Sequence, residues 1–459
     1  MVLGLGGAGA AAAIEAHAAG ASVCVIEKSG RGGGSTFRSG QIIYMGGGTP
    51  LQKELGVEDT PEDFAAYVRA SLGSSADPDL VQVYLDASLD LYDWCVEQGM
   101  VFEGAVQEEG AHMVEAEEGI CLHYSGNERA PEYAAVAKPA PRGHTPNRDK
   151  GGIFEPLEAT VEGFTEVRYN TAATSLVTDA DGAVIGVRAT DADGKELAIK
   201  ANKGVVIAVG AFTYNDTMLA DHNADLLKCG SRTGVENDLG EGILMAQKVG
   251  AATKNMDRGA ALEFMYLYGD LAAGAMLDYR GHRFLAEDWY GAWIGRAVLN
   301  NTPDCCYLII DQPKLENAQA TPYGAYLQPA ATADTLEELI GQLPLPADAA
   351  LESVARYNEL AASGEDTDFY KSAEELKPID TPPFHAMLTT PVMTSFFTLG
   401  GLKINTKAEV LDLDGEPIKG LYAAGRSACG IFGEYPGSGN SIADALTFGR
   451  IAGQQAGAR

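Results

Sequence analysis

The chain opens on Val2-Leu3-Gly4-Leu5-Gly6-Gly7-Ala8-Gly9, a short apolar lead into Gly-x-Gly-x-x-Gly, followed by an alanine-rich run over 10–19 and the β-branched run Ser22-Val23-Cys24-Val25-Ile26-Glu27. This order predicts strand, glycine turn, helix and strand, which restricts the front of the chain to a βαβ unit with parallel strands. In that setting each glycine has a separate reason. Gly4 permits the tight turn, Gly6 lets the backbone approach a pyrophosphate, and Gly9 allows close helix packing, while Gly7 and Ala8 begin a helix whose N-terminus carries partial positive charge. Glu27 ends the second strand eighteen residues after Gly9. A carboxylate there accepts hydrogen bonds from an adenosine ribose, with Lys28 beside it. A glycine turn without a ligand would need none of this context.

Two further segments argue for FAD over NAD. Gly33, Gly34, Ser35 and Thr36, and then Ser39 and Gly40, offer small residues and hydroxyls directly after the second strand, where a long dinucleotide must thread onward. The C-terminal run from Gly420 to Gly425 and Arg426, then Gly439-Asn440-Ser441-Ile442, places a second glycine turn and a second helix N-terminus beside the same ligand. A helix start aimed at the pyrimidine end of an isoalloxazine stabilises the negative charge of reduced flavin.

The expected fold class is α/β: a Rossmann-type FAD-binding domain with an inserted α+β substrate-capping domain. Residues 1–255 and 396–459 are assigned to the first. Residues 256–395, where helix and strand patterns mix with proline breaks, are assigned to the second. Within the first part, 60–99 reads as helical, with Tyr84, Leu85, Leu89, Tyr92 and Trp94 forming a core stripe. Residues 103–152, rich in Gly, Pro and charge, read as a long loop region over the active site, either ordered or partly mobile. A β-meander is expected from 167 to 209 with turns at Asp181-Gly182 and Asp193-Gly194, and a closing helix over 441–455.

Thirty-three Lys and Arg against 64 Asp and Glu give a net charge of −31, leaving no basic surplus to displace counterions from nucleic acid. No apolar run approaches the ~20 residues that span a bilayer, and a cytoplasmic protein is expected. The seven cysteines lack CxxC or zinc-ligand spacing, so reduced thiols and no metal are expected.

These segments, with Ala208-Val209-Gly210-Ala211-Phe212 and Arg356-Tyr357-Asn358, resemble the fumarate-reductase/3-ketosteroid-dehydrogenase superfamily of FAD enzymes over nearly the whole chain. The stretches 39–50 (SGQIIYMGGGTP) and 139–144 (PAPRGH) are similar to the 3-ketosteroid Δ4-(5α)-dehydrogenases. Tyr435-Pro436-Gly437-Ser438-Gly439 resembles the Tyr-Pro-Gly-x-Gly of the Δ1 enzymes, so the oxidised bond stays open between the two, with Δ4 favoured. The resemblance implies Ala208 and Gly210 as further cofactor contacts. Some relatives attach flavin through a histidine near the second glycine turn. None lies within 32–40, which implies non-covalent FAD.

Reducing fumarate needs cations to clamp two carboxylates and an acid to protonate carbon. The positions where that branch carries them hold Tyr435-Pro436-Gly437-Ser438-Gly439, Phe396-Phe397 and Asp288-Trp289-Tyr290-Gly291. An apolar pocket of Tyr44, Trp289, Trp293, Phe396 and Phe397 is therefore expected, suited to a bulky uncharged ketone such as a 3-ketosteroid. Tyr435 and the Gly439 N–H are assigned to the ketone oxygen as an oxyanion hole. Tyr290 is assigned to α-proton removal and Ser438 to a proton relay, the β-hydride passing to flavin N5 and then to an external electron acceptor. A reductase of enones or enoates run in the opposite direction, and a flavin-binding protein without turnover that acts as an electron carrier or partner-binding module, are the competing readings. Arg142 and His144 belong either near the active-site mouth or FAD, or to a pair that braces a loop.

Overall fold

The computed structural model describes the whole chain except residues 108–118, 264–268, 302–304 and 322–323. Its central sheet runs Glu409–Leu411, Pro417–Ala423, Val205–Ile207, Val2–Leu3, Val25–Ile26, Val167–Arg168. All neighbours are parallel except the first pair, Glu409–Leu411 against Pro417–Ala423. Val2 pairs with both Val25 and Val206, so the opening strand lies inside the sheet. Val2, Leu3, Val25, Ile26, Val205, Val206 and Ile207 are all buried. That is why these strands read as continuous apolar runs without alternation.

The helix Gly7–Ala18 succeeds the first strand, and Asn440–Ala458 closes the chain. The two helices meet along small residues. A Cβ added at Gly449 would lie 2.5 Å from the Ala8 carbonyl oxygen, at Gly453 2.3 Å from that of Ala12, and at Gly457 2.7 Å from Ala19 Cβ. Glycines four residues apart line one helix face, and facing alanines let the two backbones come into contact. Both helices therefore run side by side in the same direction, and the starts of both border the cavity described below.

The 60–99 stretch forms three helices, Pro61–Ser71, Pro78–Asp86 and Ser88–Glu97. The first two begin with proline at the first helical position after caps from Thr60 and Asp77, as the missing proline N–H permits. Tyr84, Tyr92 and Trp94 are buried as expected, but Leu89 is exposed on the outer face of its helix. The meander comprises Ala172–Thr178, Val184–Thr190 and Glu196–Lys200, all antiparallel.

Part of 103–152, expected as loop, forms a small sheet of Ile43–Tyr44, Gly143–His144, Ile120–His123 and Ala105–Val106. The expectation of loop at 108–118 falls outside the described residues. Another four-stranded sheet, Ala275–Leu277, Cys306–Asp311, Phe384–Thr389 and Ala331–Ala333, carries two apolar clusters of its own, drawn from residues between 271 and 387. Tyr290, Phe396 and Phe397 instead belong to the main core. Among the described residues no helix is long and apolar enough to cross a membrane.

Candidate active site

A cavity of about 580 Å³ opens where the two helix N-termini meet the ends of the central strands. At its floor the turn after the first strand is packed backbone to backbone. A Cβ on Gly4 would lie 2.5 Å from the Ala208 carbonyl oxygen, and one on Gly9 2.0 Å from that of Gly4. Gly4 also holds φ +89°, which side chains rarely adopt. Gly9 therefore acts behind the cavity in packing, whereas Gly4, Gly6, Gly7 and Ala8 line it. Gly33 is likewise behind the wall, its N–H donating to Leu5 O at 2.7 Å. Gly34, Ser35, Thr36, Ser39 and Gly40 line the cavity, and Thr36 Oγ1 accepts from the Gly7 N–H at 3.1 Å.

Glu27 lines the cavity and also shapes it. Its two carboxylate oxygens accept from the N–H groups of Leu5 and Ser29, each at 2.8 Å. Lys28, at the rim, pairs with Glu241 at 2.9 Å. On the opposite wall stand Ala208, Gly210, Gly425 and Arg426. Arg426 donates to Asp238 Oδ2 at 2.9 Å and lies over the Phe397 ring. Gly439, Ser441 and Ile442 complete the wall at the start of the closing helix. Two helix N-termini and a glycine-bared backbone as donors, with a strand-end carboxylate as acceptor, form a set that fits a dinucleotide. Asp238, in the loop before Glu241, also lines the cavity. No periodicity or motif marks it in the sequence; only the fold brings it to Arg426, whose charge it neutralises.

At one end the cavity is walled by Leu262, Tyr290, Phe397, Tyr435 and Ser438. The Tyr290 hydroxyl and Ser438 Oγ are 2.9 Å apart. The rings of Tyr290 and Tyr435 are 6.2 Å apart, and Phe397 meets Tyr435 edge-on at 4.9 Å. Burial pushes the Tyr435 phenol above its ordinary pKa. The Ser441 hydroxyl and N–H, the Arg426 charge and the Gly439 N–H pull against that rise.

Four of the five expected pocket aromatics are elsewhere. Phe396 and Phe397 are successive residues on the strand Ser395–Thr398, so they point to opposite faces. Phe397 reaches the cavity, while Phe396 is buried behind it, under the Arg232 guanidinium. Tyr44 is buried, its hydroxyl donating to Glu128 Oε1 at 2.9 Å. Trp289 and Trp293 meet edge to face at 6.0 Å, and Trp293 packs in the same way against Tyr133.

Arg142 and His144 are bracing residues. Arg142 is fully buried and forks onto Asp59, Nε to Oδ2 at 3.0 Å and Nη2 to Oδ1 at 2.8 Å. His144 Nδ1 lies 2.9 Å from Arg142 O and its Nε2 2.8 Å from Thr49 Oγ1. Because a carbonyl only accepts, the proton is on Nδ1 and Thr49 donates to Nε2.

Together the sheet order and the paired helix starts define a dinucleotide-binding fold of the flavoprotein type. A family model described as FAD binding domain matches residues 1–442. The chain belongs to this family, binds FAD and is an FAD-dependent oxidoreductase. It is 38% identical to 3-ketosteroid-Δ4-(5α)-dehydrogenase from Rhodococcus jostii RHA1, solved with 4-androstene-3,17-dione, at a TM-score of 0.93 over 99% of this chain and 96% of that one. It is 30% identical to urocanate reductase of Eggerthella lenta over 100% of this chain and 74% of that protein. Against NADH:acrylate oxidoreductase of Vibrio harveyi the identity is 32% over 82% of this chain, which spans only 37% of that larger protein.

Proposed function

We propose that the protein dehydrogenates a 3-ketosteroid of the 5α series at the Δ4 position and passes the electrons to an external acceptor. The observation that carries this reading is the meeting of Tyr290, Ser438 and Tyr435 at the end of the cofactor cavity, with Phe397 and Leu262 beside them. Bound non-covalently, FAD supplies the hydride acceptor.

The remaining steps fall to the chain's own groups. The Tyr435 hydroxyl and the Gly439 N–H bind the ketone oxygen, and charge developing there during enolisation is stabilised by the start of the closing helix. As the Tyr290 oxygen takes the proton from the carbon next to the carbonyl, its own proton passes to Ser438 Oγ, and the proton of that half-buried hydroxyl leaves to solvent. Apolar walls give a steroid affinity while excluding water from these hydroxyls. The apolar clusters within 271–387 support treating 256–395 as a substrate-capping unit.

A 5α-3-ketosteroid and a Δ4-3-ketosteroid, incubated separately with the purified enzyme and an artificial electron acceptor, test the reading. Oxidation of the first alone is expected. Oxidation of the second instead would place the new bond at Δ1. A reductase reading draws support from the relatives named for urocanate and acrylate and from Arg426 on the cavity wall. Its sign would be anaerobic reoxidation of photoreduced enzyme by an enoate and by no steroid. Acid precipitation that leaves all flavin in the supernatant is expected for a non-covalent cofactor.

A further inference from the structure

Tyr290 and Ser438 come from segments 148 residues apart in the chain, yet their hydroxyls are in contact. They are held by a buried turn, Ser125-Gly126-Asn127-Glu128, for which neither the sequence motifs nor the proposed chemistry accounts. Ser125 bonds twice to Ser438: its carbonyl accepts the Ser438 N–H at 2.7 Å, and its hydroxyl donates to Ser438 O at 3.1 Å. Gly126 pairs with Gly437 in an antiparallel bridge. One residue on, Asn127 Oδ1 accepts the backbone N–H of Tyr290 at 2.5 Å. Tyr67 joins the same structure, its hydroxyl accepting from the Asn127 N–H at 2.9 Å and donating to Pro436 O at 3.4 Å.

The turn is itself fixed from within. Glu128 is 1% exposed, and its carboxylate accepts from the Gly126 N–H at 2.9 Å, from the Ser125 N–H at 3.5 Å and from the Tyr44 hydroxyl. Burying a carboxylate costs heavily unless such donors surround it. Ordinary loop closure would not call for that arrangement.

We propose that Asn127 and Ser125 are positioning residues: the turn clamps Tyr290 to Ser438 and sets the geometry of proton transfer between them. The inference rests on the proposed steroid dehydrogenation for its kinetic consequences, and on the hydrogen bonds alone for its structural ones. A clamp acting through Tyr290 has no value once the Tyr290 hydroxyl is gone, so its removal must be non-additive with loss of that hydroxyl.

The test uses the FAD-loaded enzyme with a 5α-3-ketosteroid and an artificial acceptor. Asn127→Ala is expected to lower kcat by roughly 10- to 100-fold with KM within about threefold. In a Tyr290→Phe background the same change is expected to cost less than about twofold. Ser125→Ala, which removes only a side-chain bond, is expected to lower kcat by about 3- to 10-fold and decides the matter if Asn127→Ala does not fold. Equal losses in both backgrounds, or unchanged kcat in both single variants, would overturn the clamp. In flavin-loaded protein carrying 3-fluorotyrosine and no steroid, the Tyr290 fluorine resonance, assigned by its loss in Tyr290→Phe, should shift in Asn127→Ala. An unmoved resonance overturns the clamp whatever the substrate, whereas a shifted resonance in an enzyme that oxidises no steroid leaves the clamp standing and removes the functional reading.

Discussion

The Tyr290 hydroxyl lies 2.9 Å from Ser438 Oγ, with Tyr290 in the segment before the helix Gly291–Asn301 and Ser438 in the loop before the closing helix. A phenol alone is a poor base near neutral pH, its reference pKa being about 10, and a hydroxyl in contact offers its proton a way out. Tyr290→Phe is expected to lower kcat for a 5α-3-ketosteroid by roughly 100- to 10,000-fold while steroid binding, monitored by perturbation of the flavin spectrum, changes little. Unchanged turnover would exclude Tyr290 as the base.

The seam between the helices Gly7–Ala18 and Asn440–Ala458 carries a second expectation. A Cβ at Gly453 would meet the Ala12 backbone oxygen at 2.3 Å, and neither partner is a side chain that can swing away. Gly453→Leu should push the helices apart and destabilise the fold by about 1–3 kcal/mol or more. The two N-termini would also separate, so purified variant should hold less FAD, measured as the flavin-to-protein absorbance ratio. Wild-type flavin occupancy in that variant would show that the seam does not position the site.

The opening βαβ unit and the closing helix were legible because their constraints are local. Strand, glycine turn and helix must succeed one another within a few residues, and the residues expected there line the cavity or pack directly behind it. The end of the cavity assigned to the substrate was legible only in part. Tyr290, Tyr435 and Ser438 fell together, but Tyr44, Trp289, Trp293 and Phe396 did not line the cavity, since membership of a pocket depends on which face of each element turns inward. Alternation on Ser395–Thr398 allowed only one of Phe396 and Phe397 to enter. Asp238 and the turn at 125–128 were not legible at all, because their partners Arg426, Ser438 and Tyr290 are brought to them by tertiary contacts between distant segments.

Two buried histidines set a pH limit on stability. Burial lowers both His123 and His144 to about 4, from an unfolded value near 6.5. Below that value the unfolded chain takes up protons that the folded chain refuses, so the histidines' contribution to stability is full above about pH 6.5 and is lost as pH falls toward 4. At 1.36 kcal/mol per unit, each histidine contributes about 3 kcal/mol to that loss. Asp444, pushed up to about 8 by burial, runs the other way, costing stability as pH rises from about 4 to 8. The urea midpoint at pH 4.5, taken relative to that at pH 7.5, should therefore be higher in His144→Gln than in the wild type. Equal differences would show that His144 is not held neutral.

Neighbouring phenylalanines on one strand give the sharpest separation of pocket from core. Phe397 lines the cavity and meets Tyr435 edge-on at 4.9 Å. Phe396, 1% exposed, lies on the other face under Arg232. Phe397→Ala removes a wall of the cavity and should raise the KM for a ketosteroid about 10-fold or more, given the ~1.5–3 kcal/mol that a buried phenylalanine side chain contributes. Phe396→Ala empties a site behind the cavity wall and should cost about 3–5 kcal/mol of folding stability, with KM unchanged in whatever enzyme folds. Both are read from the same two measurements, a thermal or urea midpoint and a steroid saturation curve. If the two variants exchanged phenotypes, the strand would present its other face to the substrate, and the placement of Phe397 on the pocket wall beside Tyr435 would fall with it.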